Sequence, residues 1–295
     1  MKIAIVDADL IGRKNHRFPN LACMKLSSYH KMLGNDVVLE RNYNNLHNYD
    51  KILISKVFTD TVVPEEVLNM ENVEYGGTGF YYDKAPKLPD DIEHIFPDYH
   101  LYDDFVKEQI EKGVKPKDLK EYTDVSIGFT TRGCIRQCKF CVNQNYKKAS
   151  IHSQIKEFYD PTRKYICLLD DNIFACKDWK QVFDELITTG HKFYFKQGMD
   201  ERLLTDEKCE YLFNKANWYG DYTFAFDNIK DREIIEKKLQ MIREHTDKQC
   251  RFYVFCGFNH NNPGIYSDEF WKNDIADLFE RISILMKYKC LPYIM

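Results

Sequence analysis

The sequence predicts an α/β protein: a small doubly wound parallel-sheet N-terminal domain followed by a partial (β/α)6 barrel. Apolar runs of strand length alternate with segments at helical spacing, the pattern of parallel strands joined by helical crossovers. Prolines crowded into residues 84–122 divide that alternation into a first stretch, 1–83, and a second, 123–295. At about 150 residues per domain, a chain of 295 residues agrees with two domains.

In the first stretch, Ile3 to Val6 and Ile52 to Ile54 read as buried parallel strands, with Val37 to Leu39 and Val73 to Tyr75 as shorter ones. A helix opened by Pro19 and closed by Gly34 carries Leu21, Met24, Met32 and Leu33 at helical spacing. Pro86, Pro89, Pro97 and Pro116 interrupt the linker, where Phe105 to Lys112 has room for a turn or two of helix. Barrel strands are expected at Val125 to Thr130, Tyr165 to Leu169, Phe193 to Lys196, Tyr222 to Phe226, Phe252 to Cys256 and Leu291 to Met295. Trp179, Val182, Phe183, Leu186 and Ile187 form one helical stripe between Asp178 as cap and Gly190 as stop. Cys209, Leu212, Phe213 and Ala216 form the next, followed by a helix capped by Asp231 that uses Ile235, Leu239 and Ile242. Trp271, Ile275, Leu278, Phe279, Ile282 and Leu285 make the last and longest. In such folds the chemistry gathers at the C-terminal ends of the strands.

A net charge of −4 carries no footprint of a nucleic-acid binder. The longest apolar runs, Tyr165 to Leu169 and Phe252 to Cys256, are far short of the roughly 20 residues a bilayer span needs. Asp7 interrupts the N-terminal apolar run too early for a signal peptide, so a cytoplasmic location is expected. In a reducing compartment the ten cysteines stay free, and a tight cluster of them means metal or catalysis more often than disulfides.

Cys134, Cys138 and Cys141 form that cluster, spaced C-x3-C-x2-C directly after the first barrel strand, in Thr130-Thr131-Arg132-Gly133-Cys134 and onward. Three thiolates so close can hold three irons of a 4Fe-4S cluster and leave the fourth iron open. The alternatives are three unconnected core thiols or a structural zinc site with His152 as fourth ligand. Structural zinc prefers four ligands from two close pairs, and the next cysteine, Cys167, lies inside an apolar strand. The remaining cysteines read as core or surface thiols.

With Phe140 as the aromatic before the third cysteine, this loop resembles that of the radical S-adenosylmethionine superfamily, a resemblance covering roughly Tyr122 to Met295. It implies a 4Fe-4S cluster on Cys134, Cys138 and Cys141 that binds S-adenosylmethionine at its open iron, cleaves it reductively and yields a 5′-deoxyadenosyl radical. Asp170, Asp171 and Asn172 occupy the place where the family binds the cofactor's amino group, although an acidic run there also suits a helix cap. Arg202, in Gln197-Gly198-Met199-Asp200-Glu201-Arg202, matches a guanidinium for the methionyl carboxylate, with Gln197 beside it. A plain ion pair to a neighbouring acid is the other reading of Arg202. Asp227 stands where family members hold the ribose hydroxyls, and Gly257 where the adenine approaches backbone.

The domain order resembles the branch with a cobalamin-binding-like N-terminal domain. Cobalamin domains that ligate cobalt from below carry Asp-x-His-x-x-Gly after the first strand; here the sequence is Asp7-Ala8-Asp9-Leu10-Ile11-Gly12, without the histidine. Asp98-Tyr99-His100 imitates it in the linker but lacks the glycine. Any cobalamin would be held without that ligand, and the simpler expectation is a domain that packs on the barrel or presents a substrate. Gly76-Gly77-Thr78-Gly79 reads as an anion-binding nest or a turn, His16 as solvated surface, and Asp7 and Asp9 as substrate contacts or loop caps. Cys23 alone precedes the triad, which excludes a second N-terminal cluster. The sixth strand, at Leu291 to Met295, has no helix after it, so the chain is expected to be minimal or truncated at its C-terminus. The expected partners are an external one-electron reductant of flavodoxin or ferredoxin type and an unidentified substrate, with no membrane. The rival expectation is a non-catalytic iron-sulfur or zinc protein, structural or redox-sensing, on a degenerate barrel.

Overall fold

The computed structural model describes residues 1–143 and 146–295. It is α/β, with parallel sheets, and divides into two compact units: Met1–Ile127 with Lys156–Lys164, and Gly128–Ile155 with Tyr165–Met295.

The first unit is built on β1 (Lys2–Asp7), β2 (Asp36–Leu39), β3 (Lys51–Ser55) and β4 (Val73–Gly76). All pair in parallel, in the order β2-β1-β3-β4, with Ala4 opposite Ile52 and Val38. Ala4, Val6, Ile52 and Ile54 meet Leu46, Tyr49 and Val67 in one core on this sheet. The Leu21–Met32 helix is capped by Asn20, whose side chain accepts from Cys23 N, so Pro19 stands one residue outside it. Its stripe also differs from expectation. Leu21 and Met24 are buried, but Met32 and Leu33 are 68% and 56% exposed.

Lys25, Ser27 and His30 are buried instead, and the proline-rich stretch covers Lys25 and Ser27. Lys25 pairs with Glu93 at 3.1 Å, Ser27 donates to Asp98 at 2.6 Å, and Asp98 N donates to Met24 O. Tyr99, Leu101, Tyr102, Leu119 and Tyr122 are all buried, so residues 84–122 pack as part of this unit. Arg163 holds the returning segment by donating to the carbonyls of Tyr122, Val125 and Tyr99.

The carboxyl edge of β1 and β3 is where doubly wound sheets take ligands, and here it is filled by the chain's own side chains. Tyr102 donates to Asp7 at 2.8 Å and accepts from Asn20 N at 2.9 Å. Asn20 donates to Ser55, and Asp9 accepts from Val57 N and Thr61 Oγ1. Asp98 is engaged with the helix and His100 stands exposed beside Asp103. Gly76 ends β4 and Gly77 leads into a short Thr78–Tyr81 helix beside Lys56; Gly77 has φ +106° and a Cβ there would meet Lys56 O at 2.2 Å. His16 is half-buried, edge-on to Phe58, rather than free in solvent.

The chain passes between units inside β5 (Val125–Gly128). Beyond it, β6 (Thr131–Arg132) and β7 (Ser150–Ile151) form a short antiparallel hairpin. The remaining strands are β8 (Tyr165–Leu168), β9 (Lys192–Phe195), β10 (Tyr222–Ala225), β11 (Cys250–Val254) and β12 (Leu291–Ile294). β8 pairs with β9 and β10-β11-β12 form a sheet, all parallel. Parallel bridges at Phe193–Trp218 and Met199–Phe224 link the β9 and β10 segments. Leu169 N continues the pattern to Gly128 O at the end of β5. Among the described residues these strands do not close into a barrel.

The helices fall close to their expected places: Trp179–Thr188, Arg232–His245 and Asp268–Lys287. Neither Asp178 nor Asp231 caps through its side chain, although each holds the cap position. The stretch around Cys209 begins as Asp206–Cys209, capped by Thr205, and widens into a π-helix over Glu210–Lys215. In the last helix Leu285 and Ile284 face inward, while Trp271, Ile275 and Phe279 are exposed. Arg281 enters the interior in their stead and donates to the carbonyls of Phe226 and Phe255, at the ends of β10 and β11. No helix among the described residues is long and apolar enough to cross a membrane.

Tyr102→Phe removes the hydroxyl that accepts from the Asn20 amide and donates to Asp7. The expected loss is about 1–3 kcal/mol, the usual penalty for a buried polar group left unsatisfied, measured by urea unfolding. Unchanged stability would show that the hydroxyl is dispensable.

Candidate functional site

The loop carrying the three cysteines leaves β6 and returns through β7, so the hairpin closes it at the base. Thr131 pairs with Ile151 and Arg132 with Ser150. Gly133 makes the exit, with φ +98° and Lys148 O only 2.1 Å from where a Cβ would stand. No other residue type fits that conformation and that space.

The residues immediately after β8 hold this loop. Asp170 is 1% exposed, and its carboxylate accepts from the backbone N–H and the hydroxyl of both Thr130 and Thr131, at 2.6–2.8 Å. Burial outweighs those four donors and pushes its carboxyl up to about 6. Asp171 accepts from Gly133 N at 2.7 Å and from the Asn143 side chain, gripping the loop just before Cys134 and just after Cys141. Asn172 donates through Nδ2 to Cys134 Sγ at 3.3 Å and to Asp200 at 3.4 Å. Its Oδ1 is buried and has no hydrogen-bond partner among the described residues.

Two of the three thiols accept N–H donors. Cys134 also accepts from Arg136 N at 3.3 Å, and Cys141 from Asn143 N at 3.4 Å. Burial, then the neighbouring Cys141, pushes the Cys138 thiol up to about 11, and burial also raises Cys141. Phe140 packs with its centroid 4.5 Å from Phe255 and 5.7 Å from Phe258, both beyond β11, giving the loop an apolar side. Among the described residues no three His, Cys, Asp or Glu side chains converge on a point that could hold one metal ion. The thiolates of a 4Fe-4S cluster bind separate irons and do not need to converge so closely. His152 follows β7 and lies edge-on to Phe129.

Asp200, after β9, joins the loop to the rest of the site. It accepts from Arg136 Nε at 2.8 Å and Arg202 Nε at 2.7 Å. Burial pushes its carboxyl up, but the two guanidiniums, Arg202 first, outweigh that and hold it low. Arg202 reaches Asp231 as well, at 2.6 Å through Nη1, which explains why Asp231 does not cap its helix. The ion pair weighed for Arg202 is therefore present. Asp227 accepts from Phe255 N at 3.2 Å, and burial raises its carboxyl. Gly257, φ +78°, donates to Asp274 at 2.8 Å, with Trp271 beside it. Gln197 is exposed.

Glu201 escaped the sequence reading. It is fully buried, Oε2 accepts from Ala225 N at 3.3 Å, and Oε1 has no partner among the described residues. Burial, reinforced by Asp200, pushes its carboxyl up to about 8, so it carries a proton at neutral pH. Arg136, Asn143, Asp200 and Arg281 were missed too. Arg136 and Asn143 sit within or beside the cysteine loop, and Asp200 is two residues from Arg202, so position along the strand ends was the available signal.

The chain matches no protein-family model, and no curated protein is similar to it at a significant level.

Glu201 keeps a proton in the folded state that the unfolded chain has lost between pH 4.5 and about 8. Folded protein then binds more protons than unfolded, so stability falls as pH rises through that window. Glu201→Gln should remove a slope of up to about 1.4 kcal/mol per pH unit, read from urea unfolding across the window. An unaltered slope would assign it to other groups.

Gly133→Ala forces a Cβ onto Lys148 O. A cost of about 1–3 kcal/mol is expected, with faster reaction of Cys134, Cys138 and Cys141 toward a thiol reagent as the hairpin shifts. Wild-type stability and thiol kinetics would contradict this account of the exit.

Proposed function

We propose that this chain is a radical S-adenosylmethionine enzyme with a single site-differentiated cluster, acting on a substrate its motifs do not specify. The observation that carries the reading is Asn172. Its amide donates to Cys134 Sγ while its buried oxygen has no partner among the described residues, so a donor bound beside that sulfur, such as the methionyl amino group, would complete it. When bound, a 4Fe-4S cluster on Cys134, Cys138 and Cys141 with S-adenosylmethionine would supply reductive sulfonium cleavage and a 5′-deoxyadenosyl radical.

The chain's own residues have separable roles in this reading. Asp170 and Asp171 act as positioning residues, since their oxygens hold Thr130, Thr131, Gly133 and Asn143. The bonds of Arg202 to Asp200 and Asp231 run through Nε and Nη1, leaving Nη2 to meet the methionyl carboxylate. Asp227 uses Oδ1 for Phe255 N, so Oδ2 is the acceptor for ribose hydroxyls. The backbone at Gly257 offers the adenine a surface without a side chain. Phe140, Phe255 and Phe258 give the loop an apolar side, which would limit water at reactive intermediates. Exposed Gln197 is the least supported contact. An external one-electron reductant of flavodoxin or ferredoxin type would supply the electron, and a cytoplasmic location suits the free thiols.

Anaerobic reconstitution with iron and sulfide tests the proposal, followed by dithionite reduction and EPR with and without S-adenosylmethionine. The expected result is a reduced 4Fe-4S signal that changes on adding the cofactor, with 5′-deoxyadenosine formed, and both lost in Cys138→Ala. A cluster indifferent to the cofactor, or bound zinc in place of iron, would overturn it.

A further inference from the structure

A second pair of cysteines lies at the opposite end of the strands, away from the loop. Cys250 opens β11, and Cys290 immediately precedes β12. The register sets Arg251 against Leu291, so Cys250 and Cys290 face each other one residue earlier, on the same side of a parallel pair. Adjacent strands lie about 4.8 Å apart, within the Cα separation that a disulfide spans.

A guanidinium is fixed against both thiols. Arg243, from the Arg232–His245 helix, is held by the carbonyls of Thr246 at 2.9 Å and Lys248 at 3.0 Å through Nη1. Its Nη2 donates to Cys290 Sγ at 3.3 Å. Its Nε is buried without a partner among the described residues. Each thiol donates to a local carbonyl, Cys250 to Lys248 O at 3.7 Å and Cys290 to Tyr288 O at 3.6 Å; the adjacent Cys250 thiol, with Arg243 alongside, outweighs burial and lowers Cys290, while Cys250 is raised. Arg243 is half-buried, so the two buried thiols have a cation at one side of the pair.

We infer that Cys250 and Cys290 form an oxidisable dithiol, with Cys290 the sulfur that attacks hydrogen peroxide and Cys250 the resolving thiol. The Cys290 thiolate displaces hydroxide from peroxide, breaking the O–O bond and becoming a sulfenic acid. Cys250 sulfur then attacks that sulfur, the S–S bond forms, and water leaves. Overall, two thiols and one peroxide give one disulfide and two waters, the sulfurs being oxidised and the peroxide oxygens reduced. Arg243 stabilises the attacking thiolate, the usual means of activating a cysteine. The product ties the start of β11 to the start of β12. None of this depends on the cysteine loop or on its proposed cluster.

The test treats the full-length reduced protein with hydrogen peroxide, blocks free thiols, and maps all ten cysteines by digestion and mass spectrometry. A cross-linked peptide joining Cys250 to Cys290 is expected. In Cys250→Ser, dimedone should trap Cys290 as the sulfenic acid. Arg243→Gln should slow cross-linking at neutral pH by about tenfold, the loss of thiolate for one pKa unit, with Arg243→Lys restoring part of the rate. Cys250 and Cys290 still alkylatable in the wild-type protein while other cysteines oxidise would overturn the inference, whatever the variants do. So would an unchanged rate in a folded Arg243→Gln.

Discussion

Asp170, Asp171 and Asn172 leave β8 in succession, and each fixes a different part of the segment that carries the cysteines. Asp170 holds the threonines that lead into the hairpin, Asp171 joins the two ends of the loop, and Asn172 touches the first sulfur. Three consecutive side chains can do this because the turn after a parallel strand releases the chain from alternation. Burying two carboxylates carries a desolvation cost, visible in the raised carboxyls of both, and their multiple N–H and O–H donors compensate for it. Shifting this triplet by one residue would move every one of those contacts at once.

A second layer of polar bonds secures the first. Asp200 connects Arg136 in the loop to Arg202 after β9, and Arg202 continues to Asp231 at the start of the next helix. Arg281 does the same for β10 and β11, tying their terminal carbonyls to the last helix. Guanidiniums therefore join the strand ends alongside the buried Met199, Phe226 and Val254. Such bridges keep polar groups facing the site without leaving the backbone unsatisfied.

Much of the strand and helix pattern was legible because period and composition reflect burial. Ile3 to Val6, Ile52 to Ile54 and Tyr165 to Leu168 are apolar because both faces of a parallel sheet are covered. The misplaced helix faces have a common cause. Lys25 and Ser27 look like surface residues until the segment near Glu93 and Asp98 folds over them, and Arg281 looks exposed until the carbonyls it serves are in view. The cysteine spacing and the acidic triplet were readable as a site, but the division of labour within Asp170, Asp171 and Asn172 was not, since local sequence does not specify which backbone amides a carboxylate will face. Glu201 was invisible for the same reason: only tertiary packing removes its water.

The hairpin and the clamp above it also bear on the thermodynamics of any ligand that binds at the thiols. Ordering a free loop would cost about 1–2 kcal/mol per residue in backbone entropy, normally charged against whatever binds there. Here Gly133, Thr131–Ile151 pairing and the carboxylate bonds have already restricted that freedom in the bare polypeptide. If the proposed cluster binds there, it would meet a segment already tied at Gly133 and Asn143, so less of its binding energy would go into ordering those residues.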